Sequence, residues 1–168
     1  SEGFVFSMSL AIAPNGTPYV AYQDGGNSYE ATVMKFDGAN WVNVGNAGFS
    51  AGAVQYTSLA IDSNDTPYVA YEDGTNSYKA TVMKFDGTNW GDVGNAGFSA
   101  GSVTYTSLAI DSNGTPYVAY QDGDNSGKAT VMKFDGSSWV SVGNAGFSVG
   151  IADYTSLAIT SDGTPYVA

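Results

Sequence analysis

The 168-residue chain has no cysteine, no histidine and, since all five of its basic residues are lysines, no arginine. Without cysteine there is no disulfide framework, thiol nucleophile or thiolate metal site, and the redox compartment leaves no mark. Without histidine the usual general base and the commonest metal ligand are missing. Positive charge is scarce as well: sixteen acids against five lysines leave a net charge of −11. That balance excludes nucleic acid and anionic membrane surfaces as electrostatic partners, and leaves divalent cations and cationic ligands open. The acids also keep a tyrosine-rich surface soluble. No apolar run reaches the length of a membrane span, so no membrane insertion is expected. Ser1-Glu2-Gly3 has neither the basic nor the apolar region of a signal peptide.

What the chain has is repetition. Ser-Leu-Ala-Ile starts at Ser9, Ser58, Ser107 and Ser156, and Thr-Pro-Tyr-Val-Ala at Thr17, Thr66, Thr115 and Thr164. Ala-Thr-Val-Met-Lys-Phe-Asp-Gly starts at Ala31, Ala80 and Ala129, which fixes a 49-residue period. Residues 9–57, 58–106 and 107–155 are complete units, and 156–168 opens a fourth. The chain stops at Tyr166-Val167-Ala168, where earlier copies continue into Tyr22, Tyr71 and Tyr120. It therefore reads as one segment, 1–168, of a longer array or as a partial ring.

Each unit divides into four strands. The first spans Ser9 to Ile12 and ends at Pro14-Asn15-Gly16 or its counterparts Asn64-Asp65, Asn113-Gly114 and Asp162-Gly163. The second runs from Pro18 to Gln23, with proline at the strand start, where its missing N–H does least harm. The third covers Ala31 to Phe36, and Asp37-Gly38 turns the chain into a fourth around Trp41 to Val44. Both faces of these strands carry apolar groups: Met34 and Phe36 oppose Ala31 and Val33, and Val20 and Tyr22 oppose Tyr19 and Ala21. Two-sided burial suits sheets stacked face to face around an axis, and a repeat of about 40 to 50 residues is one propeller blade. The expectation is an all-β propeller segment of about three and a half four-stranded blades.

The motifs Ser-Leu-Ala-Ile, Gly-Thr-Pro-Tyr-Val-Ala-Tyr, Lys-Phe-Asp-Gly-x-x-Trp and Val-Gly-Asn-Ala-Gly-Phe-Ser resemble the propeller repeats of secreted bacterial proteins, broadly the kelch-like and Asp-box-like group. The resemblance implies a secreted or surface-displayed binding or scaffolding module. It does not carry sialidase activity, because the arginines with which such enzymes grip a carboxylate are absent.

No catalytic residue, cofactor site or metal site is expected. Asp122-Gly123-Asp124-Asn125-Ser126 has the start of a calcium loop, yet only the aspartate, asparagine and serine recur in Asp24-Gly25-Gly26-Asn27-Ser28 and Asp73-Gly74-Thr75-Asn76-Ser77. A turn-forming role is favoured. Trp41, Trp90 and Trp139 read as packing residues in equivalent places, and Lys35, Lys84 and Lys133 as strand residues whose stems pack while their ammonium groups reach water.

In an up-and-down blade the loop between strands two and three shares a rim with the connection to the next blade, and those segments are where the copies differ. A ligand face is therefore expected on this variable rim, at Asp24, Asn27, Tyr29, Asp73, Asn76, Tyr78, Asp122, Asp124 and Asn125. The function expected is a noncatalytic binding or adhesion module for a glycan or protein. Alternatives are a noncatalytic portion of a larger secreted hydrolase and a purely structural spacer. Blade faces left uncovered at both ends predict self-association, as a head-to-tail homodimer.

Overall fold

The computed structural model describes residues 3–168. Unit one forms β1 (Val5–Ile12), β2 (Pro18–Asp24), β3 (Glu30–Phe36) and β4 (Trp41–Asn43). Unit two repeats them as β5 (Val54–Ile61), β6 (Pro67–Asp73), β7 (Lys79–Phe85) and β8 (Trp90–Asp92), and unit three as β9 (Val103–Ile110), β10 (Pro116–Asp122), β11 (Lys128–Phe134) and β12 (Trp139–Ser141). The opening of the next unit adds β13 (Leu157–Ile159) and β14 (Pro165–Val167). Each complete unit is one antiparallel sheet in chain order, β1-β2-β3-β4 and its equivalents, and β13 pairs with β14. The chain is an all-β segment of three four-stranded blades and the start of a fourth. Strands β1, β5, β9 and β13 lie side by side and form the inner edge.

Blades pack because each sheet is apolar on both faces. Tyr19, Ala21 and Val33 on one face of the first blade meet Val69, Tyr71 and Met83 on the opposite face of the second. One unit later Tyr68, Ala70 and Val82 meet Val118, Tyr120 and Met132. Polar seams bind the inner strands: Ser9 Oγ accepts from Leu59 N at 3.0 Å, Ser58 Oγ from Leu108 N at 2.9 Å, and Ser107 Oγ from Leu157 N at 2.9 Å. Threonines 57, 106 and 155 donate to the backbone oxygens of Ser7, Tyr56 and Tyr105 in the preceding blade.

The first strand of each complete blade is longer than its Ser-Leu-Ala-Ile run. Beyond it lies a bulge at which Ser7, Tyr56 and Tyr105 take φ of 49°, 51° and 52°, after which pairing resumes, as in Val54 with Asp73. A left-handed tyrosine is rare. Here the ring gains a partner in the next blade, with Tyr56 to Tyr105 at 4.9 Å and Tyr105 to Tyr154 at 4.5 Å between centroids.

The three tryptophans occupy equivalent places with unequal burial. Trp90 Nε1 donates to Val44 O and Trp139 Nε1 to Val93 O, both at 2.7 Å. Each ring stacks on a phenylalanine of the preceding blade, Phe49 at 4.2 Å and Phe98 at 4.0 Å. Trp41, on the first blade of the described residues, is 45% exposed, against 9% for Trp139. Leu10 is likewise 66% exposed, whereas Leu59 in the same place of blade two is 6%.

Candidate functional site

The β2–β3 loops and the inter-blade connections do share one rim. Gly74 N donates to Ala53 O at 3.0 Å, and Tyr78 O accepts from Val103 N at 2.8 Å, so the loop of blade two is tied to the connections on both sides of it. The loop is braced from inside by a buried aspartate. Asp73 Oδ1 accepts from Thr75 N (2.9 Å) and Thr75 Oγ1 (2.6 Å), and Oδ2 from Asn76 Nδ2 (2.9 Å) and Thr81 Oγ1 (2.8 Å). Burial alone would raise this acid, but the hydrogen bonds from Thr75, Asn76 and Thr81 hold it below the usual carboxylate range. Asp24 is held likewise by Gly26 N, Asn27 Nδ2 and Thr32 Oγ1, and Asp122 by Asp124 N, Asn125 Nδ2 and Thr130 Oγ1; the additional hydroxyl bond from Thr75 occurs in blade two. The threonine passes the brace on, since Thr81 Oγ1 accepts from Gly97 N at 2.8 Å. Gly97 sits at φ +62°, where a Cβ would meet Asn76 Cβ at 2.8 Å.

The nine expected site residues thus divide. The carboxylates of Asp24, Asp73 and Asp122 are buried, and they and the amides of Asn27, Asn76 and Asn125 are spent on holding the loop. Tyr29, Tyr78 and Asp124 are exposed on the rim. Tyr29 and Tyr78 take φ of 63° and 61°, and Gly127 holds the same place in blade three at 73°. The aromatic surface therefore differs from blade to blade on a common frame. The oxygen-rich loop satisfies itself through hydrogen bonds, and no group of three potential metal-ligating side chains occurs among the described residues.

A cavity of about 310 Å³ opens beside the braced loop of blade two, lined by Ala53, Gln55, Glu72, Gly74, Thr75 and Tyr78. Glu72 stands where the other blades have Gln23 and Gln121. Gln121 is fully used: Thr104 Oγ1 donates to its Oε1 at 2.6 Å, and its Nε2 donates to Asp153 Oδ1 of the next unit at 2.7 Å. In blade three the place of Asp153 is taken by Thr104, whose hydroxyl is committed to Gln121. Glu72 is 6% exposed and its side chain has no hydrogen-bond or ion-pair partner among the described residues. Burial pushes its carboxyl up to about 7. Glu72 and Gln55 were not among the expected site residues; the signal for Glu72 was its departure from the Gln of the other two blades, and Gln55 lies at a position that differs in every unit.

The opposite rim, built from the monotonous turns, holds a larger concavity of about 550 Å³ between blades one and two. Tyr19, Tyr68, Lys35, Lys84 and Asp65 line it, and Asp65 accepts from Asn15 N (3.2 Å) and Nδ2 (2.9 Å) across the seam. Similar furrows recur beside Lys35 and Lys133 at the turns of blades one and three. They follow from the shape of the turns. Lys133 Nζ lies 5.9 Å over the Tyr117 ring, consistent with the stem packing expected of these lysines.

No family model matches the chain, and no curated protein matches it. Solved structures do. A fucose lectin from Kordia zhangzhouensis, in complex with methyl-fucoside, is 15% identical with a TM-score of 0.53 over 82% of this chain and 99% of that one. This chain's fold is that of a β-propeller. A protein of unknown function from Dyadobacter fermentans gives a TM-score of 0.61 at 12% identity over 98% of the chain, and an exo-β-1,3-galactanase from Clostridium thermocellum 0.53 at 12% over 83%. The chain spans 56% and 36% of the length of those two proteins. At such identities the propeller fold is what is shared, and nothing singles out its kelch-like or Asp-box-like members.

Proposed function

We propose that this propeller segment is a noncatalytic glycan-binding module with its ligand face on the variable rim. The observation that carries the reading is the pairing of exposed tyrosine rings, Tyr29 and Tyr78, with loops held rigid by buried aspartates, beside a cavity of sugar size. Aromatic faces on a stiff scaffold suit the apolar faces of sugar rings, and ordering costs are small because the loop is already fixed. The lectin and the galactanase with related folds support a carbohydrate over a protein ligand. Glycoside hydrolysis canonically needs two carboxyl groups flanking the bond, and this cavity is lined by one, Glu72. The resemblance to secreted propeller repeats favours a place outside the cell.

Binding to an immobilised glycan array tests the reading. The chain is expected to retain a restricted set of glycans, and the double variant Y29G/Y78G, which installs the residue native to blade three, is expected to lose them. An array on which no glycan is retained, or on which the variant binds unchanged, overturns it.

A further inference from the structure

Glu72 is a charge without a partner. Its side chain is buried against the cavity wall, no lysine or hydroxyl among the described residues reaches it, and the matching glutamine of blade three is satisfied from both sides. Its oxygens are reached only from the cavity, so ionisation is costly: the group either takes a proton or accepts an opposite charge brought by a ligand. The cavity in front of it is large enough for a small ligand, at the low end of the roughly 300–1,000 Å³ typical of ligand pockets.

Resting on the glycan-binding reading above, we infer that this cavity takes an amino sugar, whose protonated amine becomes the counter-charge of Glu72 while the ring lies beside Tyr78. An ammonium group supplies three donors to an acceptor-only carboxylate. Gln55 Oε1 on the same wall adds an acceptor for the third proton or for a ring hydroxyl. Tyr78 offers its face to a cation or to the C–H face of the sugar. The net charge of −11 draws cations toward the molecule at long range. A bare divalent ion fits less well, because it needs about six to eight oxygens and this cavity holds one carboxylate. The Thr75 hydroxyl is already donated to Asp73. A neutral sugar leaves the carboxylate uncompensated.

The test is calorimetric titration of the whole chain near neutral pH and low salt with free hexosamines, each set against its matched hexose and N-acetylhexosamine. At least one hexosamine is expected to bind about tenfold or more tightly than both matched sugars, a ratio set by its charge alone. Glu72→Gln, the residue native to the other two blades, is expected to bring that ratio to about one without altering the melting profile at low pH. Tyr78→Gly is expected to weaken all sugars alike. Matched sugars binding equally to the unaltered chain, or an amine preference that survives Glu72→Gln, overturns the inference while leaving glycan binding intact. Failure of every sugar in the panel also overturns it, and the array then decides the broader reading separately.

Discussion

Glu72 is a residue at which blade two departs from the glutamine of its neighbours, and its cost is measurable without any ligand. Its carboxyl is raised from the ordinary value of 4.5 to about 7, by burial. An acid with a folded-state value above its unfolded one binds its proton more tightly when folded, so its contribution favours folding below about pH 4.5 and is lost as pH rises to about 7. The full shift would amount to roughly 3 kcal/mol, which water at the cavity mouth reduces to about 1–2 kcal/mol. Glu72→Gln should therefore be more stable than the parent by that amount at pH 8 and indistinguishable at pH 4. Denaturant melts at the two pH values measure it; equal gaps at both would contradict the assignment. Asp92, near Asp73, is also raised, by burial and by Asp73, and is unchanged between the two proteins.

Among the elements, the seam between blades is what makes one unit depend on the next. Trp90 contributes an indole hydrogen bond and a stacked phenylalanine to that seam, and Trp41 contributes neither. Trp90→Ala should cost about 3 kcal/mol and Trp41→Ala less than about 1 kcal/mol, read from chemical melts. Equal losses would mean that the rings act within their own blades.

The same distinction explains what the sequence discloses. The period, the Asp-Gly turns and the two-sided apolar strands are local signals, and all appear in β1 to β12, with the first strand of each blade extended beyond its expected start. The bulge at Tyr56 is not local, because its left-handed backbone is held by a ring in the next blade. The aspartates of the variable rim look like ligands in sequence, since turn braces and ligand groups use the same side chains, and only burial separates Asp73 from Tyr78. Glu72 is visible as a letter change, but its lack of a partner depends on a threonine across the seam.

At the scale of the whole molecule, large apolar side chains are exposed at both ends of the described segment: Phe4, Met8, Leu10 and Ile12 on or beside β1, and at the other end Tyr166 on β14 with Val149, Ile151 and Tyr154 in the connection before β13. We propose that a second copy covers them head to tail, since the internal seams show how one such face accepts the other. Two seams would bury on the order of 1,600 Å², the size of a specific interface. Light scattering through a dilution series should give a dimer at micromolar concentration and a smaller species on dilution; a stable monomer throughout would contradict it.

The central claim is that ligand recognition belongs to the variable rim and not to the larger concavity on the opposite side. Amide chemical-shift mapping with a glycan retained on the array tests this most directly, because the two rims are far apart in the repeat. The account predicts perturbations confined to residues 26–30, 53–56 and 72–78, with the corresponding loops of blade three, and a loss of those shifts in Y29G/Y78G. Perturbations centred on residues 62–68 and 84–87, with the variable rim silent, would contradict it.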